Sequence, residues 1–227
     1  MYSKETLSKT VKALKEQIEF YKTNPETLST VVSDGNRKIG NTLNVSLAPV
    51  ITCSNCSGCM SLCYDIKAVN QYKNVLNARA KNTALALVDM PRYFDGIRKA
   101  CEKRKTNKYF RFHVSGDILN YEYFENMIQI AREFPEFRFW TYTKAYHIVN
   151  RWCTENGKGN VPENLSIMFS EWRGMPMVNP FGFPEFRIVF KDEEKPKGVK
   201  WCCGNCNECI RNNSHCVKGE TVYCMEH

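Results

Sequence analysis

Between Lys108 and Phe190, short aromatic and β-branched runs alternate with amphipathic stretches of helical length, and that alternation leaves few folds open. "KYFRFHVS" is followed by "YEYFENMIQIAREF" and "FRFWTYT" by "AYHIVNRWCTEN", while "LSIMFS" and "FRIVF" continue the series. Strands separated by helices return to the same end of a sheet, so they run parallel with right-handed crossovers. Upstream, "TLNVSLAPV" has the alternation of a further strand. The chain then reads as helical from Asp65 to about Asp89, is interrupted at Met90-Pro91, and is helical again from about Arg92 to Lys105. Residues 4–23 form an amphipathic helix, with Leu7, Val11, Leu14, Ile18 and Tyr21 on one face, and Asn24-Pro25 and Asp34-Gly35-Asn36 mark a loop.

The expected fold is therefore α/β: a partial (β/α) barrel of parallel strands with an N-terminal helix and a C-terminal cysteine-rich appendage. Five or six strands are fewer than the eight of a closed barrel, which leaves a side open for substrate. The chain divides into three regions: residues 1–40 as helix and loop, 41–190 as core, and 191–227 as a linker ("KDEEKPKG") and cysteine-rich metal-binding tail.

No run of about 18 apolar residues is present, so no transmembrane helix is expected. The start, "MYSKETLSKTVKALKEQ", has no apolar signal core, which points to the cytoplasm and no membrane association. In that reducing compartment the 12 cysteines persist as thiols or metal ligands rather than disulfides. Cys101 and Cys153 stand alone and read as small buried hydrophobes; the other ten fall in two clusters. The formal net charge of +8 suits a nucleic-acid or anionic-cofactor partner, and thiolates would offset part of it.

Cys53, Cys56, Cys59 and Cys63 are separated by two, two and three residues, the internal spacing of bacterial ferredoxin ligands without the following proline. Structural zinc sites more often pair two distant knuckles, so the spacing favours iron–sulfur over zinc. In parallel α/β sheets, ligands gather at the carboxyl ends of strands. Those ends are the cysteine loop, Ser115-Gly116-Asp117, the "TYTKAY" segment with Thr141, Thr143 and Lys144, and the "SEWRG" segment with Glu171 and Arg173.

His113 reads either as a catalytic group or as a core histidine satisfied by a carbonyl, and Asp117 either as a cofactor ligand or as a helix cap. The aromatics Trp140, Tyr142 and Tyr146 suit packing better than base stacking. A rolling-circle initiator would need two metal-binding histidines flanking one apolar residue, and "FHVS" supplies one.

A strand entering a cysteine loop that ends in Cys63-Tyr64, then a strand ending in Ser115-Gly116-Asp117, resembles the radical S-adenosylmethionine (SAM) enzymes. More closely, the cysteine loop, "HVSGD", "FWTYTKAY" and the C-terminal cysteines resemble the phage gene-product-88 family, over roughly residues 40–220. The forward radical-SAM triad spacing is absent, Asp117 stands where a glutamate is usual, and Ile118 replaces a proline.

The radical-SAM resemblance implies a four-iron, four-sulfur cluster on Cys53, Cys59 and Cys63, with Cys56 spare or a closing fourth ligand. S-adenosylmethionine would be cleaved reductively to a 5′-deoxyadenosyl radical that modifies an unknown substrate: a nucleotide, nucleic acid or protein. His113, Asp117 and Lys144 would be catalytic. Ser115, Gly116, Asp117, Thr141, Thr143, Glu171 and Arg173 would contact the cofactor, and a flavodoxin or ferredoxin would supply electrons. A phage-encoded chain would work in the host cytoplasm.

The tail cysteines Cys203, Cys206, Cys209 and Cys216, with Cys202 and Cys224 nearby, would hold a second iron–sulfur cluster, or zinc with His215 or His227 assisting. The alternative class is a non-enzymatic zinc-binding adaptor that uses both cysteine modules to bind nucleic acid or protein.

Overall fold

A computed structural model describes residues 2–226, so His227 lies outside the described residues. Six strands form one sheet in the order of the chain: β1 (Leu43–Asn44), β2 (Tyr109–Arg111), β3 (Arg138–Thr143), β4 (Leu165–Ser170), β5 (Glu185–Val189) and β6 (Val222–Met225). Every neighbouring pair is parallel, with Phe110 beside Phe139 and Trp140 beside Ser166. The sheet is an open half-barrel.

α1 (Lys4–Lys22) is capped by the Ser3 hydroxyl, which accepts from the Thr6 N–H, and it buries Thr10, Leu14 and Ile18. Three helices join β1 to β2: α2 (Tyr64–Gln71), α3 (Lys73–Val88) and α4 (Met90–Lys103). The stretch expected as one helix from Asp65 to Asp89 is two, because Tyr72 takes an extended conformation and ends α2. α4 begins at Met90 rather than Arg92, because Pro91 fits a first helical turn and the Asp89 carboxylate accepts from the Arg92 N–H. α5 (Tyr121–Glu133) and α6 (Tyr146–Asn156) are the crossovers between β2, β3 and β4.

Side chains alternate along a strand, and the sheet uses both faces. Phe110, Phe139, Ile167 and Phe169 join the large core made with the helices. Trp140 and Met168 point the other way, where Cys209, Cys216 and Val217 of the tail cover them. All six residues of β4 are buried, as a strand covered on both faces requires.

The C-terminal segment is cysteine-rich as expected, and it also supplies β6. It carries two short helices, α7 (Cys206–Arg211) and α8 (His215–Lys218), across the concave face. β1 is shorter than "TLNVSLAPV" suggests, yet its pairing runs on: Val45 N–H donates to Arg111 O and Leu47 N–H to Ser115 O.

Candidate functional site

The cysteine loop sits over the carboxyl ends of β2, β3 and β4, held at each by a separate contact. Thr52 Oγ1 donates to Ala48 O at 2.8 Å and accepts from the Asp117 N–H at 3.4 Å. Asn55 Nδ2 donates to Lys144 O at 2.6 Å. Gly58 lies so close to the loop after β4 that a Cβ there would meet Trp172 and Met175 at 2.8 Å. The Tyr64 hydroxyl donates to Val114 O.

Burial pushes the Cys53 thiol well up, and the neighbouring Asp117 charge, Cys63 and Cys56 add to the effect. Burial likewise raises Cys56 and Cys63, while Lys144 pulls Cys56 back. These are thiols that lose their protons readily only beside a cation or a metal.

Asp117 is buried and ties two strand ends together. Its carboxylate accepts from Thr143 Oγ1 at 2.6 Å, the Lys144 N–H at 2.8 Å and its neighbour Ile118 N–H at 2.8 Å. Burial raises its pKa, and these donors oppose the rise. The cap of α5 is Asn120, whose side chain accepts from the Tyr123 N–H, so Asp117 has no capping role. Lys144 Nζ donates to Ser170 Oγ at 2.7 Å and lies 5.8 Å from the centre of the Trp172 ring. Gly116 has φ +78°, and a Cβ there would meet Thr52 Oγ1 at 2.6 Å and Leu47 Cβ at 2.7 Å. Only glycine lets the turn and the cysteine-loop stem approach this closely. Ser115 N–H donates to Ser46 Oγ at 3.2 Å, while the Ser115 hydroxyl is enclosed without a partner.

The remaining expected site residues are engaged in other contacts. His113 Nδ1 pairs with Thr141 Oγ1 at 3.0 Å and its Nε2 with the Tyr123 hydroxyl at 3.1 Å, on the helix side of the sheet. Burial and then Arg111 hold His113 neutral, with its pKa lowered to about 3. Thr141 is committed to that contact. Glu171 pairs with Arg187 at 3.4 Å, and the Arg173 guanidinium is taken by Asp192 and Glu193. Thr52, Asn55 and Ser46 were missed by sequence reasoning. Thr52 and Asn55 flank the first cysteines, and that adjacency was their only signal.

The tail cysteines gather on the concave face around a cavity of about 20 Å³ lined by Trp140, Tyr142, Cys202, Cys203, Cys206, Cys209, His215 and Cys216, among others. Cys203 Sγ and Cys209 Sγ are 3.6 Å apart. A hydrogen bond from Cys224 draws Cys202 down to about 5, aided by Lys38 and His215. Burial lifts Cys216 to about 12, against the Tyr142 hydroxyl and Arg111. Cys101 and Cys153 are buried in the helix-side core, as their isolation suggests. Among the described residues, no three His, Cys, Asp or Glu side chains are drawn together in a metal-holding group.

Fold and site together define a class: a parallel α/β half-barrel with a cysteine loop across its strand ends and a second cysteine group on its concave face. Residues 9–227 match the family described as Gene product 88, and the chain belongs to that family. It is 26% identical over 126 residues to the Gene 88 protein of Mycobacterium phage D29, covering 51% of this chain and 52% of that one. To the Gene 88 protein of Mycobacterium phage L5 it is 25% identical over 129 residues, covering 51% and 53%. The chain thus spans about half the length of the curated relatives it matches. No solved structure matches it. No helix among the described residues is long and apolar enough to cross a membrane.

Proposed function

We propose that the protein is an iron–sulfur enzyme of radical-SAM type, with its cluster at the strand ends on Cys53, Cys59 and Cys63 and with Cys56 spare. The observation that carries this reading is the seating of the cysteine loop over Asp117, Thr143 and Lys144, anchored by Thr52, Asn55 and Gly58. A peripheral structural knot has no need of such anchors. The donor set fits: soft thiolates on one short loop suit iron–sulfur chemistry. When bound, the cluster would supply the electron and S-adenosylmethionine the organic radical, a division typical of such cofactors.

The chain's own residues supply positioning and charge. Asp117 holds the ends of β2 and β3 at a fixed separation through Thr143 and the Lys144 N–H. Lys144 brings a cation towards Cys56 and favours its thiolate. Gly116 lets the cysteine-loop stem lie against the turn. A flavodoxin or ferredoxin is the expected electron donor, the host cytoplasm the expected location, and a nucleotide, nucleic acid or protein the substrate.

The test is metal and sulfide analysis on protein purified without oxygen, in the native chain and in Cys59→Ala/Cys63→Ala. The proposal expects about four irons at the mouth, lost in the double variant, and release of 5′-deoxyadenosine from S-adenosylmethionine on reduction. Zinc at the mouth, with no iron, would overturn it. That result would leave the second reading, a zinc adaptor for nucleic acid or protein, which the net charge of +8 favours.

A further inference from the structure

We propose that the tail carries a second, separate metal site: one zinc ion held by Cys203, Cys206, Cys209 and Cys216 on the concave face, with Arg111 as its counter-charge. The site does not depend on what the mouth binds.

Four observations converge. Five cysteines and His215 line one cavity, closed below by Trp140 and Tyr142 of β3. Its volume, about 20 Å³, is that of a single small occupant. The close pairing of two of these thiols favours a lone ion over a four-iron cube, whose cysteines sit on different irons and so stand farther apart. Cys203 and Cys209 already stand with sulfurs 3.6 Å apart, close to the separation of two thiolates on a tetrahedral zinc with bonds of about 2.3 Å.

The third observation is a missing acceptor. Trp140 Nε1 and Arg111 Nε are both enclosed and have no hydrogen-bond partner. Buried N–H groups are almost always paired; Trp140 lines the thiol cavity, and Arg111 packs on another wall residue, Tyr142. Trp140 packs on Cys209. Arg111 lies 4.8 Å from the centre of the Tyr142 ring, on the wall of the same cavity.

The fourth is charge. Among the described residues, no carboxylate pairs with Arg111, although the fold sets its guanidinium beside the sheet. A cation so placed needs an anion. Zinc bound by four thiolates carries a net charge of about −2, and its sulfurs accept N–H bonds, so one occupant answers both the stray charge and the orphaned donors.

The choice among the cysteines rests on the pairing. The Cys202 backbone N–H donates to Tyr223 O at 2.7 Å and Cys224 lies on β6 with its Sγ donating to Met225 O at 3.4 Å, so this pair belongs to the wall formed with β6. His215 engages Ser214 through Nδ1 at 2.8 Å. Cys203, Cys206, Cys209 and Cys216 remain. Metal binding would draw Cys206 and Cys216 to the existing pair and lock α7 and α8 over the sheet, as thiolate sites couple to folding.

The experiment measures zinc and iron together in the native chain, in Cys59→Ala/Cys63→Ala and in Cys209→Ser/Cys216→Ser. About one zinc per chain is expected, kept in the first variant and lost in the second. A second measurement, free of any folding defect in the tail variant, is alkylation of the native protein followed by mass spectrometry. Cys203, Cys206, Cys209 and Cys216 should be protected when zinc is bound and react at least tenfold faster after chelation. Arg111→Gln should bind zinc about 10- to 100-fold more weakly in chelator competition, with Arg111→Lys closer to native.

Equal labelling before and after chelation overturns the inference, as does iron in place of zinc at these cysteines or zinc lost with Cys59 and Cys63. One zinc in a chain without iron sinks the proposed enzyme and leaves this site standing.

Discussion

Gly116→Ala tests the contact on which the mouth is built. At φ +78° an alanine carries the left-handed penalty of about 1–2 kcal/mol. Its Cβ would also lie 2.6 Å from Thr52 Oγ1 and 2.7 Å from Leu47 Cβ, with the Leu47 carbonyl carbon at 3.1 Å behind. Relieving those clashes means moving the backbone stem of the cysteine loop, an overpacking cost of about 1–3 kcal/mol. The sum is about 2–5 kcal/mol, a large part of the roughly 5–15 kcal/mol that holds a domain folded. With a urea slope of about 2 kcal/mol per molar, the unfolding midpoint should fall by about 1–2.5 M at unchanged slope.

Gly174→Ala is the control. It has φ +73° but nothing within 4 Å of its Cβ, so it carries the backbone penalty alone. Urea titrations monitored by tryptophan fluorescence compare the two. Equal losses would refute the close-approach argument, because the steric part would then be absent.

Asp117→Ala strands the Thr143 hydroxyl and the Lys144 N–H, at about 1–3 kcal/mol each, visible in the same titration. It should also weaken S-adenosylmethionine binding in calorimetry while metal content stays constant; unaltered binding would confine Asp117 to tying strands together. His113, held neutral with a pKa near 3 by burial and Arg111, makes folding oppose protonation. The unfolded histidine takes a proton near pH 6.5, so stability should drop as pH falls from about 6.5 towards 3. His113→Gln should flatten that part of the profile relative to the native chain; an identical slope would clear His113 of the effect. Cys101→Ala should leave metal content unchanged and cost about 1 kcal/mol, since Cys101 only fills the helix-side core; any metal loss would contradict that role.

The parallel sheet was legible because "FRFWTYT" and "LSIMFS" are separated by helices with clear apolar faces, and periodicity is the signal sequence carries best. The position of the cysteine loop was legible for the same reason: it comes directly after a strand, and strand ends share one side. Which polar residues meet there was not. Thr141 and Thr143 lie two apart on β3 and so on the same face, yet Thr141 is deep enough to meet His113 while Thr143 reaches Asp117 at the strand end. Depth along a strand depends on register, which no local pattern reports. Arg173 looked like a strand-end ligand, but the acidic pair Asp192 and Glu193, distant in sequence, claims it. β6 was hidden because Cys224 within "TVYCM" invites a metal reading, whereas its neighbours Val222 and Tyr223 are ordinary strand residues.

That hidden strand changes what the tail is for. Residues 191–198 are mostly exposed, as a linker would be, yet the segment beyond them contributes a strand to the sheet. Ending the chain after Phe190 would remove β6 together with Val217 and Val222, and so uncover Trp140 and Met168, both fully buried. Full burial of such side chains is worth about 1.5–3 kcal/mol each, so uncovering these two costs about 3–6 kcal/mol. That is a large part of the roughly 5–15 kcal/mol of a domain's net stability, before the lost pairing of β6 with β5 is added. Residues 1–190 alone should therefore lack a cooperative urea transition and bind hydrophobic dye. A truncated chain unfolding cooperatively at the native midpoint would make the tail a detachable module and return the concave face to substrate.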